Sequence, residues 1–232
     1  MGESVFITDQ RGDLIAFSAA TLSVLFAVNL NSQPLNQPAF DSYTGDLYIS
    51  THTGLLYRVD AVTGRVIWVN DYAQTAFGGS NQDLYPATAA GKSVLLALDL
   101  EWIFAVDAKI GKLFWKNLGL PNNCEIGSYM PAAVAYGLAF QANPDCGTDA
   151  FNLATGHHVW HTSVGGPLDV PLTSANRVLY LSGLEMLNTD TGGIAARLSF
   201  PCNDGDPTVV NGTVYMISLC NAGSYTLAAY RT

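Results

Sequence analysis

Seven side chains able to hold a cation or move a proton sit just ahead of short apolar runs: Asp83, Tyr85, Glu125, Tyr129, Asp169, Asp204 and Asp206. Converging carboxylates supply the oxygen donors calcium takes, and a carboxylate beside a phenol can act as acid and base. The competing reading is a solvated acidic rim. Cys124, Cys146, Cys202 and Cys220 allow three pairings, or four free thiols, and no two have the short spacing of zinc ligands. His157, His158 and His161 suggest a metal cluster by type. In an extended strand, however, alternate residues face opposite ways and residues four apart are separated by about 13 Å. They cannot share one ion, and solvated outer-strand positions are expected, with His52 expected as a turn residue. The chain has no Gly-x-Ser-x-Gly elbow, phosphate loop or dinucleotide fingerprint.

Those residues need a scaffold, and the composition provides one. With 49% hydrophobic, 11% aromatic and 12% charged residues the chain is too apolar to be disordered. Its 232 residues suit a single domain over 1–232. Ten Lys and Arg against nineteen Asp and Glu, with no basic cluster, exclude nucleic acid and anionic membrane as partners, and favour neutral or cationic ligands. No apolar run approaches the roughly 18 residues of a membrane span, and Met1-Gly2-Glu3-Ser4 opens no basic-then-apolar leader.

The chain matches itself. Apolar runs begin at Val5, Leu47, Val94, Leu138, Val178 and Val214, separated by 42, 47, 44, 40 and 36 residues. A second run follows each about eight residues later, closed by a polar turn: Asp60 to Gly64, Asp107 to Gly111, Asn152 to Gly156 and Asn188 to Gly192. Asp or Asn caps such a turn and Gly accepts its positive φ. Four residues beyond the Gly stand Trp68, Trp115 and Trp160, with Ala196 in the fifth copy. A run opening at Pro38, Pro86, Pro131, Pro171 or Pro207 precedes the next copy. Each copy therefore holds strands A (Pro-initiated), B, C and D (Trp-bearing), with no helical period. The first copy lacks A and the last lacks D, which gives 22 strands. Four short strands per radial repeat make a β-propeller blade. The expected fold is all-β, a β-propeller of about six four-stranded blades closing as a ring, with the tryptophans as inter-blade packing.

The pattern Leu-Tyr-x-x-Asp-x-x-Thr-Gly-x-x-x-Trp, best at 46–68, 93–115 and 137–160, resembles the PQQ-like (pyrroloquinoline-quinone-type) propeller repeat. The resemblance implies either a binding scaffold, as in outer-membrane assembly, or a quinone-dependent dehydrogenase. The latter generally has eight blades and adjacent cysteines over the quinone. About six copies and no Cys-Cys pair argue against PQQ, leaving calcium as the admissible cofactor and other channel-mouth chemistry as the enzymatic alternative. Cys124 with Cys146 and Cys202 with Cys220 occupy equivalent repeat positions, each flanking strands A and B, where two disulfides would meet. Such bonds imply secretion or another oxidising compartment. Connections 72–86, 117–131 and 163–171 gather on the same face, against short turns on the other. Long loops collected on one face mark a binding face, so a small molecule, glycan or peptide is expected there.

Overall fold

The computed structural model describes residues 4–35, 37–71, 83–89, 92–99, 102–118, 132–143, 146–165, 172–181, 185–197, 203–220 and 224–231. Every regular element among them is a strand. Consequently no helix in the described residues is long and apolar enough to cross a membrane. The fold is the expected β-propeller, and its described residues hold 22 strands in six antiparallel sheets, each a meander in chain order. The chain divides into two compact units, Met1–Leu118 and Gly119–Thr232.

The first unit holds three sheets. One consists of β1 (Ser4–Thr8), β2 (Asp13–Ser18) and β3 (Val24–Asn29). The next has β4 (Ala39–Asp41), β5 (Asp46–Ser50), β6 (Leu56–Asp60) and β7 (Val66–Asn70). The third has β8 (Asp83–Ala89), β9 (Lys92–Asp99), β10 (Trp102–Asp107) and β11 (Leu113–Leu118). Strand β5 is buried at every position. Leu47 and Ile49 pack with Leu14 and Leu30 on one side, while Tyr48 packs with Phe104 and Val106 on the other. A strand covered on both faces reads as an unbroken apolar run, which is why the repeat is visible in the sequence.

The second unit continues the pattern with β12 (Ala132–Ala135), β13 (Leu138–Asn143), β14 (Gly147–Asn152) and β15 (His158–Thr162). Then come β16 (Thr173–Ala175), β17 (Val178–Tyr180), β18 (Glu185–Asn188) and β19 (Ile194–Arg197). The last sheet is β20 (Asn203–Val210), β21 (Thr213–Cys220) and β22 (Ser224–Arg231). Phe140, Ala150, Trp160 and Leu187 join its first two sheets, and Tyr180, Met186 and Val214 join the second to the third.

The polar turns close as their residue types require. The carbonyls of Asp60, Asp107, Asn152 and Asn188 accept the amides of Gly64, Gly111, Gly156 and Gly192 at 2.7–2.9 Å. The Asp60 carboxylate also accepts the amides of Val62 and Thr63 at 2.9 and 2.8 Å. These amides, Thr63 first, hold the Asp60 carboxyl below its ordinary pKa. The turns at Gly64, Gly111 and Gly192 then seat on the preceding sheet. A Cβ at Gly111 (φ +72°) would meet the Trp68 ring at 3.0 Å, and one at Gly192 (φ +70°) the Trp160 ring at 2.6 Å. Trp68 donates its indole N–H to the Ala108 carbonyl at 3.2 Å, and Trp160 donates to that of Thr189 at 2.9 Å. Trp68 and Trp160 are thus clasps between neighbouring sheets. In the first copy Phe26 takes this place against Gly64.

Two features depart from the sequence reading. Strands β8 and β20 start at Asp83 and Asn203, ahead of Pro86 and Pro207. Both are edge strands of their sheets, where a missing proline donor breaks no ladder. In five sheets a β-bulge also interrupts the pairing of the C and D strands, skipping Leu25, Ile67, Phe114, Val159 and Ala195. The bulge inverts the in-out alternation partway along strand D.

Candidate functional site

A cleft of about 560 Å³ opens in the first unit where connections leave the strands. Thr8, Asp9 and Gln10 contribute from the β1–β2 turn; Gln33, Pro34, Leu35 and Gln37 from the β3–β4 connection; His52 from the β5–β6 turn. These are the D-to-A and B-to-C links of the repeat, the side on which the sequence places the binding face.

Main-chain bonds fix its walls. Leu35 donates its amide to the Ser50 carbonyl and His52 donates to that of Gln33, both at 2.9 Å, so that Pro34 lies opposite Thr51 in an isolated bridge. Ser32 Oγ and Thr53 Oγ1 are 2.7 Å apart. The buried Tyr57 hydroxyl, its pKa raised by burial, donates to the Leu30 carbonyl at 2.6 Å. On the facing turn Asp9 Oδ1 accepts the amides of Arg11 and Asp13 at 2.8 and 3.0 Å. Gly12 is obligatory there: it has φ +90°, and a Cβ would lie 2.9 Å from the Ser32 oxygen. Gln10, Gln33, Gln37 and His52 are exposed over this frame.

The described residues that line this cleft include none of the seven acidic and phenolic candidates. Glu125, Tyr129 and Asp169 lie outside the described residues, as do Cys124 and Cys202. Asp83 and Tyr85 stand two apart on β8, opposite Leu98 and Leu96. On β20, Asp206 pairs with Ile217, and Asp204 is the residue passed over where the register shifts. No free cysteine stands among the described residues, and Cys146 is disulfide-bonded. Cys220 ends β21 opposite Ser224. His52 is exposed in its turn, as read, but it also belongs to the cleft.

The histidines give a different picture from the one expected. The bulge at Val159 brings His158 and His161 to one face of β15. His158 Nε2 lies 2.7 Å and His161 Nδ1 3.1 Å from Asp149 Oδ1. Asp149 is fully buried, and its Oδ2 has no hydrogen-bond partner. Both imidazoles are one-third exposed and hold a core carboxylate, instead of standing free in solvent. Among the described residues no group of three or more His, Cys, Asp or Glu could hold a metal ion.

The family model described as outer membrane protein assembly factor BamB matches residues 1–126 and 42–178. The BamB of Moranella endobia (strain PCIT) is 23% identical over 199 residues, covering 74% of this chain and 50% of that protein. The chain therefore spans about half the length of this curated relative. Among solved structures, BamB from Moraxella catarrhalis has a TM-score of 0.70 at 16% identity, covering 100% of this chain and 74% of that one. The computationally designed Ika8 protein reaches 0.73 at 11%, covering 100% and 69%. Quinohemoprotein alcohol dehydrogenase ADHIIG from Pseudomonas putida HK5 reaches 0.63 at 13%, covering 94% and 50%. At these identities the three structural likenesses are likenesses of fold alone.

Proposed function

We propose, for a chain that belongs to the BamB family of PQQ-like repeat propellers, that it is a binding or scaffold module of an oxidising, extracytoplasmic compartment. It holds its partner on the side of the D-to-A and B-to-C connections. The observation that carries this reading is the cleft between the β1–β2 turn, the β3–β4 connection and the β5–β6 turn. Its frame is braced by main-chain hydrogen bonds before any partner arrives, so little ordering cost falls on association. Among the described residues the opposite side carries short turns, several of them closed by their own Asp or Asn.

Three further expectations belong to this reading. Residues 1–232 form one domain, supported by a repeat that keeps its phase through both units. The disulfides pair Cys124 with Cys146 and Cys202 with Cys220. Asp83, Tyr85, Glu125, Tyr129, Asp169, Asp204 and Asp206 edge the binding face, where they serve a partner or a calcium ion.

Photo-crosslinking tests the reading. A benzophenone amino acid placed at the exposed Gln37, and separately at the exposed Ile110 of a short turn, should give a discrete adduct in an extract of the source cell from position 37 only. Adducts from position 110 alone, or from neither, would overturn it.

A further inference from the structure

From the residues of the loop-side cleft we infer its ligand class: an extended, uncharged peptide segment, gripped through its backbone amides by glutamine side chains. The inference rests on the binding reading above and adds the chemistry of what is bound.

Each lining residue narrows the choice. Among the cleft's described lining residues there is no Lys or Arg, so a phosphate or carboxylate finds no ammonium or guanidinium anchor. Asp9, the one carboxylate among its described lining residues, has committed Oδ1 to the amides of Arg11 and Asp13. A hard cation would therefore meet mostly neutral oxygens in place of the several carboxylates that usually balance its charge. Among the described lining residues the imidazole of His52 is the one aromatic ring; no Phe, Tyr or Trp supplies the broad stacking face on which a base settles or the flat side of a sugar ring packs.

What remains is amide chemistry. Gln10, Gln33 and Gln37 each present one acceptor and two donors, the complement of a peptide group's N–H and C=O. Buried Pro34 and half-buried Leu35 provide an apolar floor for an aliphatic side chain. Pro34 also removes the donor that an added β-strand would use at this position. The peptide is therefore held by side-chain amides and does not extend the sheet. At about 560 Å³ the cleft is within the range of specific ligand sites.

The test uses the whole chain. Heptapeptides displayed on phage are selected against it, and the enriched peptide is synthesised with blocked ends and titrated into 15N-labelled protein. Maltopentaose and AMP are titrated in parallel. The expected result is a peptide without net charge that shifts the amides of residues 8–10, 33, 35, 37 and 52. Its affinity should fall about 5- to 10-fold in each of Gln10→Ala and Gln37→Ala, one hydrogen bond apiece, and hold within about 2-fold in 0.5 M NaCl, as an uncharged ligand should. Both glutamines are exposed, so the variants fold. An enriched peptide that binds both variants like the parent, or that is lost in salt, overturns the inference. If maltopentaose or AMP shifts the cleft amides and no peptide does, the ligand class is wrong and the binding reading stands. If no probe shifts them, the inference falls, and the crosslinking from position 37 decides the binding reading.

Discussion

Trp160 donates its indole N–H to the Thr189 carbonyl 2.9 Å away, across the boundary between two sheets. The same ring occupies the space that a Cβ at Gly192 would need, 2.6 Å from its nearest atom. One residue thus closes the hydrophobic seam and receives the turn of the next repeat.

Trp160→Ala should cost about 3 to 5 kcal/mol by opening a cavity in that seam, and Trp160→Phe about 1 to 2, since it keeps most of the area but orphans the Thr189 carbonyl. Gly192→Ala should be destabilising as well, because it adds a clash to a positive φ. Urea denaturation of the three variants measures this. A Gly192→Ala protein as stable as the parent would show that the ring does not seat the turn.

Asp149 offers a second test. Either histidine alone still donates to Oδ1, so His158→Ala and His161→Ala should each cost about 1 kcal/mol. The double variant leaves a fully buried carboxylate with no donor and should cost about 3 to 5 kcal/mol. A double-mutant cycle additive to within about 0.5 kcal/mol would mean that the two imidazoles do not share the carboxylate.

These two sites differ in how far the sequence disclosed them. Trp160 and Gly192 recur in phase with Trp68 and Gly111, and recurrence is what a one-dimensional reading detects. The partnership of His158 with His161 was hidden because it depends on the bulge at Val159. The residues skipped at the bulges, such as Ile67, Phe114 and Ala195, have no common type and carry no signal. Strict alternation sends the two imidazoles to opposite faces; one extra residue returns them to the same face. The cleft was hidden for another reason. Its rim is glutamine, a residue without catalytic signature, and its frame is main-chain bonds such as that of Leu35 to Ser50. Only the sidedness of the connections was legible, and it pointed to the face on which the cleft lies.

Tyr48 gives a pH prediction. It is fully buried, donates to the Ala108 carbonyl at 3.0 Å, and has its pKa pushed by burial from 10.0 to about 12. The unfolded chain releases this proton first, so the stability the buried phenol contributes is complete below pH 10 and is lost as pH rises towards 12. Unfolding free energies between those pH values should fall less steeply in Tyr48→Phe than in the parent. Parallel slopes would contradict the burial argument.

If the acidic residues edge the binding face as proposed, Asp169→Asn and Asp206→Asn should weaken calcium or partner binding on the loop side. Stability should change by less than about 0.5 kcal/mol, since rim charges contribute little to folding. Calorimetric calcium titrations unchanged in both variants, together with unchanged crosslinking from position 37, would remove these residues from the site.

The disulfides are the last expectation. Cys146 is disulfide-bonded and directly precedes β14 in the B-to-C link of its sheet, and Cys220 ends strand B of the last sheet. The two positions are equivalent in the repeat, and so are Cys124 and Cys202 ahead of their strands A. Each bond would close a loop of about 20 residues, which the chain-entropy account values at about 3 kcal/mol. A non-reduced digest should yield the linked peptides Cys124–Cys146 and Cys202–Cys220, and Cys202→Ser with Cys220→Ser should lower stability by about that amount. A crossed link, such as Cys146 with Cys202, would break the equivalence on which the pairing rests.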